Sequence, residues 1–189
     1  MNTLFKNKKL IIILALILLI VLWIFLRGRG AGQAPTASPP PTPANSWEGL
    51  LPGASLFEDV GKSLGEPIEA KGDLYEYISK NPNINNEVLF EKGVAVLIKR
   101  IIVIKDQIHA RAIFDEHGEG YITLYSERSG YGDNLYVYLG KGIAFIGNPI
   151  DNSVLEIWYF KKVGSIDEFI ARYATGYTLH PDPDEQINF

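Results

Sequence analysis

Three histidines and ten tyrosines are the side chains best suited to chemistry or recognition here, since the chain contains no cysteine. His109 and His117 stand eight positions apart, a rotation of roughly 80° on a helix, which does not make a chelating pair. Asp115, Glu116 and Glu119 neighbour His117 in sequence. They are expected to raise its pKa and make it pH-responsive, against the plainer reading of a solvated, charged helix end. His180 stands alone near the C-terminus. The sequence holds no Gly-x-Ser-x-Gly turn, phosphate loop or zinc-type histidine motif. Gly130-Tyr131-Gly132-Asp133 precedes a strand and not a helix, so it reads as a connecting loop. Glu58/Asp59 and Asp115/Glu116 are adjacent on helices and point apart. No catalytic residue, metal ligand or cofactor site follows, and the balance is against an enzyme.

The tyrosines carry more. Alternation places Tyr75 and Tyr77 on one face of a strand, Tyr121 and Tyr125 on one face of another, and Tyr136 and Tyr138 on one face of a third. Leu74, Ile78, Ile122, Leu124, Leu135, Val137 and Leu139 take the opposite faces. If the aliphatic side packs under helices, the six tyrosines pave an open sheet face, and tyrosine is enriched in binding surfaces. The competing reading is cross-strand tyrosine pairing that stabilises the sheet without binding anything.

The elements that position these residues follow from pattern and punctuation. Ser55 with Glu58 is a capping box opening a helix that carries Leu56, Val60 and Leu64 and stops at Gly65 and Pro67. Strands are expected over 74–79, 88–91 and 94–98, the last running toward Ile104. Asp106 is expected to cap a second helix with Ile108, Ala112 and Ile113 inward, ending at Gly118. Strands follow over 121–125, 134–139, 143–146 and 154–160. Ser165 and Glu168 open a closing helix over 165–174 whose Ile166, Phe169, Ile170 and Tyr173 share one face. The stretch 86–98 echoes 134–146, each a hairpin with Lys-Gly in its turn. Two helix–strand–strand–strand units, at about 50–104 and 105–160, are therefore expected in one antiparallel sheet packed by two or three helices. The fold class is α+β, and residues 177–189 form a tail.

Pro52-Gly53-Ala54-Ser55 through Val60, then Leu64-Gly65-Glu66-Pro67, resembles the Gly-x-Ser/Thr…Val…Leu-Gly-x-Pro signature of the BamE (SmpA/OmlA) family of outer-membrane assembly lipoproteins. The layout is also similar to the tandem β-lactamase inhibitor protein family. The resemblance implies helices on a small antiparallel sheet in an exported binding module. The chain departs from BamE in lacking a lipidated cysteine and in being doubled, and from the inhibitor in having no cysteines.

Placement comes from the N-terminus. Leu10 to Leu26 is an unbroken run of seventeen apolar residues between Lys6, Lys8 and Lys9 and Arg27 and Arg29. It spans roughly 26 Å as a helix, close to a hydrocarbon core that lysine and arginine stems can bracket. Charge bias favours a cytoplasmic N-terminus. A cleavable signal peptide is the rival, but its apolar region is normally shorter. Residues 1–27 are thus read as a cytoplasmic stub and transmembrane helix, and 28–45, with five prolines, as an extended spacer.

Beyond residue 45 lie all 22 acidic groups and 13 of the 18 basic ones, a net of −9. Such a surface repels phosphate backbones and disfavours nucleic acid as a partner. The expected protein is a single-pass envelope protein whose extracytoplasmic domain, 46–176, binds a protein or peptide without catalysis. An envelope hydrolase or carbohydrate-binding protein is the alternative.

Overall fold

The computed structural model describes residues 45–126, 129 and 132–181. The apolar span Leu10–Leu26, all of the proline-rich spacer but Asn45, and residues 182–189 lie outside the described residues. Among the described residues no helix is long and apolar enough to cross a membrane.

The domain is α+β, as expected. Its helices are α1 (Phe57–Leu64), α2 (Ala110–His117) and α3 (Ile166–Tyr173). The strands are β1 (Glu69–Lys71), β2 (Leu74–Tyr77), β3 (Asn86–Glu91), β4 (Val94–Ile101), β5 (Ile122–Leu124), β6 (Asn134–Tyr138), β7 (Ile143–Asn148) and β8 (Ser153–Phe160). All pair antiparallel in one sheet of order β1-β2-β3-β4-β8-β7-β6-β5. Both edge strands, β1 and β5, are three residues long.

The palindromic order is the signature of a duplicated unit, α1-β1-β2-β3-β4 followed by α2-β5-β6-β7-β8. Each unit has four strands; in the first, the short β1 pairs with β2 ahead of the three strands the sequence showed. The units meet at β4 and β8, where Lys99 faces Trp158 in the middle of five paired positions. Moving outward from that pair, each half repeats the other. In β4 the ladder skips Val96, between partners Ala95 and Leu97, and in β8 it skips Leu155, between Val154 and Glu156. The two bulges point their carbonyls across the junction. Val96 O accepts from Lys161 N at 2.8 Å and Leu155 O from Ile102 N at 2.9 Å, Lys161 and Ile102 being the residues that directly follow β8 and β4.

The same register makes β2 the counterpart of β6. Tyr75 pairs with Val88 and Tyr136 with Phe145, while Tyr77 pairs with Asn86 and Tyr138 with Ile143. Leu-Tyr-Glu-Tyr in the first unit thus occupies the place of Leu-Tyr-Val-Tyr in the second. This corrects the sequence echo, which aligned β3–β4 with β6–β7, one strand out of step. Those hairpins share turn chemistry, and the sheet relates β3–β4 to β7–β8.

Helices α1 and α2 lie on one face of the sheet and α3 on the other. Val60 of α1 and Ala110 and Ile113 of α2 are buried against Tyr77, Val88, Ile98, Tyr136, Tyr138, Phe145 and Ile157. Phe169 and Tyr173 of α3 are buried against Leu97, Trp158 and Phe160. Two caps differ from expectation. The α1 N-cap is Leu56, whose N–H donates to the Asp59 carboxylate at 2.9 Å, while Ser55 Oγ accepts from Leu51 N in the preceding turn. Asp106 closes a 3-10 turn over Ile104–Asp106, and α2 starts later, with Arg111 N donating to Asn152 Oδ1 from the β7–β8 loop at 2.8 Å. Ala112 is exposed. The α3 cap is as expected, Ser165 Oγ accepting from Glu168 N at 3.2 Å. Arg172 then ties α3 to the end of β3 through both oxygens of Glu91, with Nε at 2.8 Å, and holds that carboxylate below its ordinary pKa.

Two predictions follow from the buried tyrosines. Tyr138 Oη donates to Gly118 O at 2.8 Å, whereas the hydroxyl of its counterpart Tyr77 is buried with no partner among the described residues. Tyr138→Phe is expected to cost about 1 kcal/mol in urea denaturation, and Tyr77→Phe to leave stability unchanged or raise it. Burial pushes the phenols of Tyr138 and Tyr173 up to about 12. A raised folded-state value contributes stability that is whole below 10.0 and is lost as pH climbs toward 12. Alkaline titration should therefore show tyrosinate absorbance rising together with unfolding, and in Tyr138→Phe the loss above pH 10.0 should be smaller.

Candidate functional site

The residues singled out from sequence do not form a surface. Tyr77, Tyr136 and Tyr138 are at most 5 % exposed. Tyr75 packs edge-on against Phe57 of α1 and Phe90 of β3, and Tyr121 against Phe114 of α2, Tyr136 and Tyr138. Tyr125 continues β5, half-buried, and exchanges two 2.8 Å backbone hydrogen bonds with Thr178. The expected polarity of the sheet is therefore reversed: the tyrosines face α1 and α2, and the aliphatic residues face α3. Both sides of the central strands are buried, so alternation separates two faces without saying which of them is covered. Cross-strand aromatic packing is the role the geometry gives these rings.

The pKa of His117 shifts opposite to the direction its sequence neighbours implied. Desolvation lowers its pKa, outweighing the raising effect of Glu116, and Lys141 lowers it further. Its ring stands 5.3 Å from that of Tyr138. His109 is exposed at the α2 N-cap. Among the described residues no group of three His, Cys, Asp or Glu converges in a way that could hold a metal.

What remains open is part of the α3 face. After α3 the chain runs on through Ala174–Tyr177 to the Tyr125–Thr178 bridge, crossing the second unit as a strap. Residues 177 and 178 are thus built into the fold and not part of a loose tail. Because β4 and β8 run in opposite directions, α3 covers the end where Leu97 pairs with Phe160. The end where Ile101 pairs with Glu156 is the floor of a groove of ≈ 550 Å³. The strap forms one wall, and Ile84 and Asn85, in the loop between β2 and β3, form part of the rim.

The floor is polar and internally paired. Lys99 Nζ lies 2.8 Å from Glu87 Oε2 and 4.7 Å above the Trp158 ring. Trp158 Nε1 donates to Glu156 Oε2 at 2.8 Å, and Tyr177 meets the indole edge-on at 6.0 Å. Trp158 is 3 % exposed, so the indole supports the floor from beneath. The accessible surface is the Lys99–Glu87 pair, the Glu156 carboxylate, the half-exposed Ile84 and the edge of Tyr177. Among the described residues no imidazole or thiol lines the groove. The lining offers paired charge on the floor and aliphatic and aromatic edges at the rim.

Sequence reasoning missed this groove because its residues come from β3, β4, β7, β8 and the strap. Only the Leu97–Ile101 stretch hinted at it, where Lys99 and Arg100 interrupt an aliphatic run. Comparison of the chain with protein-family models, with curated proteins and with solved structures finds no match.

Proposed function

We propose that this chain is a single-pass envelope protein held in the membrane by Leu10–Leu26, N-terminus cytoplasmic. In this reading its extracytoplasmic α+β domain holds a peptide segment of a protein partner in the α3-side groove, without catalysis. The observation that carries the reading is the groove itself. Two helices cover one sheet face, a third helix and its strap cover the apolar part of the other, and the remaining opening is ≈ 550 Å³ with a paired ionic floor. A volume of this size takes a few side chains of an extended segment. The binding role moves from the tyrosines Tyr75, Tyr77, Tyr121, Tyr125, Tyr136 and Tyr138 to Ile84, Glu87, Lys99 and Tyr177. The Gly53–Pro67 motif supports grouping the domain with BamE-like binding modules, and the doubled helix-and-sheet layout supports grouping it with β-lactamase-inhibitor-like ones.

Site-specific photo-crosslinking in cells tests the assignment. A photoreactive residue at Ile84 should yield one discrete protein adduct, and one at Ile150, 86 % exposed on the β7–β8 loop, should not. Lys99→Glu should reduce the adduct about tenfold, the cost of turning one buried-rim attraction into repulsion. Equal adduct patterns at the two positions would remove the groove from consideration. Retention of the protein on a polysaccharide matrix would instead favour the carbohydrate-binding alternative.

A further inference from the structure

One end of the domain exposes aliphatic side chains without any evident packing reason. The loop after β2 and the turn after β4 lie side by side there, joined by an ion pair between Lys80 Nζ and Asp106 and lining a shared depression with Pro82, Val103 and Ile104. Ile104 is 98 % exposed and Ile78 72 %. A single exposed isoleucine is ordinary, whereas two on abutting loops make an apolar tip. The charge around them is also unusual for this domain. No acidic residue lies between Ile78 and Ile84, and across 102–106 the only one is Asp106. Its carboxylate is engaged by Lys80 and lies 3.6 Å from Arg100, and Lys105 is exposed beside it. The tip is therefore locally cationic on a domain whose net charge is −9 over residues 46–189.

We propose that Ile78 and Ile104 form a membrane-facing tip that dips into the lipid interface, with Lys80 and Lys105 meeting anionic headgroups. Aliphatic insertion flanked by lysine is the combination an interface rewards, and it lets an acidic domain approach a surface that would otherwise repel it. The patch contains no aromatic, methionine or free arginine side chain of the kind that anchors protein interfaces, which separates it from a protein-docking site. The inference rests on the proposed membrane attachment. It assigns an orientation to the tethered domain.

The test uses the full chain, which has no cysteine to remove. Ile78→Cys and, separately, Ile150→Cys are labelled with an environment-sensitive fluorophore. The protein is reconstituted into phosphatidylcholine vesicles containing phosphatidylglycerol, with and without acyl-chain spin-labelled lipid. The spin label should lower emission roughly twofold at position 78 and leave position 150 unchanged, and adding Ile104→Asp should abolish the quenching at 78. Equal quenching at 78 and 150, no quenching at 78, or quenching that survives Ile104→Asp would overturn the proposal. Flotation after an alkaline carbonate wash reports the anchor separately. Fluorescence is read before the wash, so a chain that washes off counts against the anchor while the quenching still decides the tip.

Discussion

The antiparallel seam between β4 and β8 is the constraint on which the rest of the domain depends. Neither unit could bury its helix and sheet alone. A four-stranded sheet with one eight-residue helix leaves a long unpaired edge, and the seam turns two such edges into ladder hydrogen bonds. The reciprocal bulges at Val96 and Leu155 fix its register. A slip of one residue would break both cross-junction bonds and turn every buried side chain of one unit toward the wrong face. The Lys99–Trp158 contact at the centre breaks the symmetry of the duplication, since the two residues hold equivalent positions, and it is there that the groove opens.

That asymmetry explains how a repeated unit comes to have one site and not two. Where the first unit continues from β4 into a 3-10 turn and α2, the second continues from β8 into α3 and the strap. The face beneath α3 is aliphatic in β6 and β7, with Leu135, Val137, Ala144 and Ile146. The matching positions of the first unit carry Leu74, Glu76, Glu87 and Leu89. A carboxylate-bearing face cannot be covered by an apolar helix without stranding its charge, so it stays open.

Much of this was legible in the sequence, for definite reasons. The α3 helix was readable to its cap because Ser165, Phe169 and Tyr173 report capping and periodicity locally. Seven of the eight strands were readable from alternation and turn residues. β1 was not, because Glu-Ala-Lys has no strand character and is held only by pairing with β2. The face assignment of the tyrosines was beyond reach. Alternation fixes that Tyr136 and Leu135 point apart, but which side the helices cover is set by the handedness of connections many residues away. The pKa of His117 was misjudged for a similar reason, since its carboxylate neighbours are visible in the chain and the apolar surroundings that desolvate it are not.

The abbreviated, charged margin of the sheet has a bearing on how copies of this domain meet. Where the local concentration is high copies collide often, and an exposed run of amide groups invites them to zip together. β1 offers only three residues, all exposed, with Glu69 and Lys71 projecting from it, and β5 is equally brief. A neighbour approaching the β1 border finds too few bonds to form and charge in the way. The doubled sheet can thus grow to eight strands inside one molecule while discouraging a ninth from the next.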